Sequence, residues 1–87
     1  MPDPEEIREE QVRMTRLRVR ADLTSYRLKY SPLSLVAAYD LIERTREEIL
    51  ELFPDKDEVF DLVLRPRFMR IVTERAVAEW GLADSMN

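Results

Sequence analysis

The chain has 87 residues, 45% of them apolar and 37% charged, with a formal net charge of −4. That is the length of one domain, with far too much hydrophobe for a disordered chain. The lack of cysteine and histidine excludes a disulfide framework, a thiolate metal site and the commonest general base.

One glycine, Gly81, argues against a sheet protein with tight hairpins, whose turns need positive φ. No run approaches the ~18–20 apolar residues of a membrane span. The acidic start Met1-Pro2-Asp3-Pro4-Glu5-Glu6 does not read as a signal peptide. The expected setting is soluble and cytoplasmic, with no membrane and no cofactor.

The first element opens at Asp3-Pro4-Glu5-Glu6, where Asp3 can cap, Pro4 fits the first helical position and Glu6 completes a capping box. No Gly or Pro follows until Tyr30, so the spacing predicts one long helix. Ile7, Met14, Leu17, Ala21 and Leu28 share one face. Val12, Val19, Leu23, Tyr26 and Tyr30 share another, nearly opposite. A helix that is apolar on two opposite sides needs two partners, and a chain this short readily supplies one. The second set is therefore the candidate partner-binding surface, the partner being another copy or a different protein.

Ser31-Pro32 stops this helix and starts the next, with Ser31 as the expected cap and Ser34 as the fallback. The second helix carries Leu35, Ala38, Ile42, Thr45, Ile49 and Leu52 at alternating three and four spacing. Tyr39, Leu41, Leu50 and Phe53 widen that stripe, and Pro54 ends it. Asp55 to Glu58 reads as another capping box after a very short connection, which predicts an antiparallel helical hairpin. Val59, Phe60, Leu62, Val63 and Leu64 are the apolar content of the third helix. Pro66 predicts a boundary or kink at Arg65. A last helix from Pro66 to Trp80 has Phe68, Met69, Val72, Ala76 and Trp80 as its core face. Gly81 fits the left-handed position after a helix end, with Leu82 packing back. The expected fold is thus all-α, with three to four helices. A long N-terminal helix packs on an antiparallel hairpin, and the last helix is kinked or broken near Pro66. One helical domain covers 1–82 and a disordered tail covers 83–87.

Charge is uneven. Residues 1–12 sum to −4 and residues 13–30 to +5. Arg13, Arg16, Arg20 and Arg27 form one helical face, interleaved with tyrosines, and are the candidate nucleic-acid footprint. The more economical expectation pairs them with the acidic second helix or with another chain, because the whole chain is acidic. Residues 16–23 also alternate as a half-buried strand would, Leu17, Val19, Ala21 and Leu23 against Arg16, Arg18, Arg20 and Asp22. With a strand at Arg16-Leu17-Arg18-Val19-Arg20 followed by two helices, the order of elements resembles the ribbon-helix-helix DNA-binding families. That resemblance implies strands paired between two chains and major-groove reading. Helix is the preferred reading. The charge order from Asp3 to Lys29 suits a helix dipole, and Glu9 and Arg13 form a favourable i,i+4 pair.

Glu43, Glu47 and Glu51 share a face and could bind a hard cation, but bundle metal sites usually add a histidine. Ser25, Ser31 and Ser34 have no histidine partner, and no glycine-rich phosphate loop occurs. Arg65, Arg67 and Arg70 are expected to face solvent. Tyr26, Tyr30, Tyr39 and Trp80 suit an interface or a core boundary equally. The expectation is a non-catalytic helical protein–protein interaction module, a homodimer or a small subunit of a larger assembly. The alternative is a nucleic-acid-binding regulator using residues 13–30.

Overall fold

The computed structural model describes residues 1–79 and Gly81. The expectations for Trp80, Leu82 and the tail 83–87 lie outside the described residues. Among the described residues every regular element is helical, and three helices make up the fold. Residues 16–23 are helical, so the strand alternative falls and with it the ribbon-helix-helix resemblance. No helix is long and apolar enough to cross a membrane among the described residues.

Helix α1 spans Pro4–Tyr30. Asp3 caps it as the sequence predicts, its carboxylate accepting from the Glu5 N–H at 3.4 Å. Glu5 and Glu6 in the first turn and Arg27 and Lys29 in the last complement the helix dipole. The helix ends at Ser31, whose N–H donates to the Arg27 carbonyl at 3.0 Å. Ser31 is therefore spent closing α1, and the start of α2 (Leu35–Leu52) passes to Ser34. The Ser34 hydroxyl accepts from the Ala37 N–H at 3.1 Å.

The turn after α2 is closed by the Lys56 N–H donating to the Phe53 carbonyl at 3.0 Å. Pro54 in this turn has the φ that a first turn position wants. The turn takes up Asp55, so the expected Asp55–Glu58 capping box does not form. The third helix starts at Asp57 behind Lys56, with no side-chain cap.

That third helix is continuous through three segments: α3 (Asp57–Val59), a π-helical turn at Phe60–Leu64, and α4 (Arg65–Glu79). The expected boundary at Pro66 is absent. Arg65 keeps helical angles, φ −59° and ψ −47°, and its N–H reaches back to the Phe60 carbonyl. A proline inside an α-helix collides with the carbonyl four residues earlier. The wider π turn just before Pro66 accommodates the ring without ending the helix. The same turn serves packing. The buried residues Phe60, Leu64, Phe68, Val72 and Ala76 recur every four residues, a spacing that drifts around an α-helix by about 40° per step. One wide turn takes up part of that drift. Gly81 lies in the left-handed region at φ 67°, as expected after a helix end.

The helices pack up, down and up. Arg20 of α1 meets Glu48 of α2 and Thr24 meets Thr45, so α1 and α2 are antiparallel. Asp22 meets Arg67 and the Leu28 carbonyl meets Arg75, so α1 and α4 run parallel. Leu17, Ala21, Leu28, Ala38, Ile42, Ile49, Phe60, Phe68 and Val72 build the core. The Thr24 and Thr45 hydroxyls hydrogen-bond at 2.8 Å inside it, and Thr45 also donates to the Leu41 carbonyl. Polar groups without such partners would cost about 1–3 kcal/mol each. Met69 is partly buried against this core. Ile7 and Met14, expected in the packed set, are exposed. Helix α1 has 27 residues and α2 has 18. Arg13 sits over the Phe53 ring at the hairpin end, so roughly three turns of α1 lie beyond the hairpin. Tyr39, Leu52, Val59, Leu62 and Val63, read as helix apolar content, are also exposed.

Candidate functional site

The packed and outward faces of α1 differ sharply. Leu17 is 9% exposed, Ala21 2% and Leu28 1%. On the other side Val12 is 46% exposed, Val19 60%, Leu23 46%, Tyr26 61% and Tyr30 69%. The structure thus brings all five candidate partner-binding residues together in one open stripe, and among the described residues no other helix covers it. Tyr26 and Tyr30 sit with ring centroids 5.0 Å apart, one helical turn between them. They offer apolar ring faces with hydroxyl tips, the amphipathic surface that favours interfaces.

The arginine face is divided. Arg20 pairs with Glu48 of α2, and Arg13 lies 5.1 Å from the Phe53 ring centroid, with Glu10 4.0 Å away. These two residues hold α1 to the hairpin. Arg16 and Arg27 are exposed. Arg27, Arg20 and Arg44 line a cleft of about 260 Å³ between α1 and α2 together with Asp40 and Glu48. A cleft with acids among its arginines is a poor cradle for phosphate.

Sequence reasoning missed the polar ties that hold the third helix in place. Arg46 donates to both carboxylate oxygens of Asp61, at 3.0 and 3.2 Å. Arg65 donates to Glu43 at 2.6 Å, reaches Asp61 at 3.5 Å and lies over the Phe60 ring. The hydrogen bond from Arg65 holds the Glu43 carboxyl below its ordinary 4.5. That from Arg46 holds the Asp61 carboxyl below its ordinary 3.8. Their acidic partners raise both guanidinium groups further. Arg67 pairs with Asp22 at 3.2 Å. Arg67 and Arg70 are exposed as expected, although Arg67 is tied to Asp22, while Arg65 is half-buried by its ties. Arg46–Asp61, Arg65–Glu43 and Arg67–Asp22 join charges fifteen to forty-five positions apart, which carry no local sequence signal; only Arg65–Asp61, four apart, is a local pair. Arg75, with 10% of its side chain exposed, donates to the Leu28 carbonyl at 2.8 Å and pairs with Glu79. It thereby satisfies a carbonyl of the last turn of α1.

Glu43 of the carboxylate row on α2 is committed to Arg65. Among the described residues no three acidic, histidine or cysteine side chains come together to hold a metal ion. The chain matches no family model, no curated protein and no solved structure.

Proposed function

We propose that this chain is a non-catalytic, cytoplasmic helical interaction module that works as a homodimer or as a small subunit of a larger assembly. The observation that carries the reading is the open stripe Val12, Val19, Leu23, Tyr26 and Tyr30, directly opposite the packed face of the same helix. Two-sided apolar helices need two partners, and the hairpin covers only one side. Sedimentation equilibrium tests it. Self-association that Leu23→Glu abolishes while the fold survives supports the reading; a strict monomer at high micromolar concentration overturns the homodimer.

The second reading, a nucleic-acid-binding regulator using residues 13–30, draws on the outward position of Arg16 and Arg27. Arg13 and Arg20, engaged within the chain, weaken it. Its test is binding to duplex and single-stranded probes across a salt series. Affinity should fall steeply with added salt, and no binding at low salt removes the idea.

A further inference from the structure

The outward stripe is part of a longer seam. Glu5, Glu9, Val12, Arg16, Val19, Leu23, Tyr26 and Tyr30 follow one another at alternating steps of four and three, the spacing of a heptad seam. This seam runs the whole length of α1, Pro4–Tyr30. Its first half is polar and acidic at Glu5 and Glu9, and its second half is apolar and aromatic. The first half also belongs to the part of α1 beyond the hairpin, where residues 4–16 are all exposed. A helical extension of that length is marginal in water without something packed along it.

We infer that a second copy of this chain covers the seam, with the two α1 helices antiparallel about a two-fold axis near Leu17 and Arg18. The inference rests on the self-association proposed above and adds its geometry. One register matches every seam position to a seam position of the other copy. Val12 faces Leu23, Arg16 faces Val19, Glu9 faces Tyr26 and Glu5 faces Tyr30, each pair occurring twice by symmetry. In this register the acidic end, summing to −4 over residues 1–12, lies along residues 23–34 of the other copy, whose charged groups are Arg27 and Lys29. Glu9 and Arg27 are eighteen residues apart, five whole turns, and so lie on the same line of the helix. The two-fold axis therefore brings Glu9 of each copy beside Arg27 of the other. Tyrosine hydroxyls can donate to the facing carboxylates, and the Arg16 stem can lie over Val19 while its head stays in water.

A parallel pair in register would set Glu5 against Glu5, Glu9 against Glu9 and Arg16 against Arg16, like charges facing along the seam. Charge thus selects the antiparallel arrangement. The projecting turns of each α1 then gain a packing surface on the outward face of the other.

The chain has no cysteine, so introduced thiols report contacts without background. Val12→Cys and Leu23→Cys are surface changes that leave the core intact. Under mild oxidation the antiparallel pair yields a disulfide when the two variants are mixed and little from either alone. Charge exchange gives a second readout. Glu5→Lys with Glu9→Lys in one chain, and Arg16→Glu with Arg27→Glu in another, should each weaken self-association by about tenfold or more. Mixing them should restore wild-type affinity, since both ends of the mixed pair are complementary. Self-crosslinking of each cysteine variant alone means a parallel seam. A dimer that crosslinks in neither experiment uses another face. Either result overturns the antiparallel arrangement and leaves the interaction reading standing. A strict wild-type monomer overturns the arrangement and the homodimer together.

Discussion

Helix α1 is two structures in one. From Leu17 to Leu28 it is the third member of a bundle, with Leu17, Ala21, Thr24, Ser25 and Leu28 buried. From Pro4 to Arg16 the same unbroken helix has no buried residue. Both halves contain apolar residues at helical spacing, so periodicity does not separate them. Reach does. Phe53 under Arg13 marks where the hairpin ends, and beyond it Ile7 and Met14 are exposed, with nothing among the described residues covering them. Periodicity shows which residues share a face. Whether that face is covered depends on how far the neighbouring element extends.

The contrast can be broken at its strongest point by removing a core ring. Phe68, fully buried beside Phe60, should lose about 3–5 kcal/mol of stability as Phe68→Ala. That is a large share of the stability of so small a domain and is measurable by urea denaturation. Charge insertion on the two faces of α1 sharpens the contrast. Leu17→Glu buries a carboxylate against the bundle and should cost several kcal/mol, to order of magnitude. Leu23→Glu should change monomer stability by only about ±0.5 kcal/mol while abolishing self-association. Equal behaviour of the two variants would mean the faces do not differ. Between them in size lies the buried hydroxyl pair. Thr45→Val leaves Thr24 without its partner and should cost about 1–3 kcal/mol, again read from denaturation.

Hydrogen exchange maps the contrast along the helix with no mutation. Amides of residues 8–14 should exchange by local fraying, and those of 21–28 only on global opening. Raising the protein concentration should slow exchange at residues 8–14 if a second copy covers them. The mildest expected effect is acid sensitivity. Glu43 and Asp61 both titrate below their ordinary 4.5 and 3.8 because arginines hold their ionised forms. Their stabilising contribution is complete above those ordinary values and is lost as pH falls through the lower folded ones. The melting temperature should therefore drop on acidification. A Glu43→Gln, Asp61→Asn variant should show a flatter acid limb.

Much of this was legible in the chain. Asp3 and Pro4 announced the start of α1, and in the α2 stripe Ala38, Ile42, Thr45 and Ile49 are buried as their spacing required, while Leu35 at one end is half-buried and Leu52 at the other is exposed. Gly81 has the left-handed backbone predicted for it. Start signals misled where two of them competed. Ser31 and Ser34 were both eligible caps, and Ser31 was taken by the end of α1. Asp55 was drawn into the turn behind Pro54. At Pro66 the local rule predicted a boundary or a kink. The helix persists because Phe60 and Phe68 on either side of the proline both bury in one core, and a π turn reconciles the two demands.

Composition and periodicity alone point to a helical chain, and to a first helix apolar on two opposite sides once residues 16–23 are helical. Those properties follow from spacing within single helices, where residues three and four apart are neighbours whatever the rest of the chain does. Tertiary structure decided which of the two sides is covered, how far along α1 the cover extends, and which distant charges meet. Those depend on the relative length and direction of packed helices, quantities that no local pattern carries. Of the two faces of α1, the covered one builds the core, and the open one, with Tyr26 and Tyr30 at its end, is where a partner would bind.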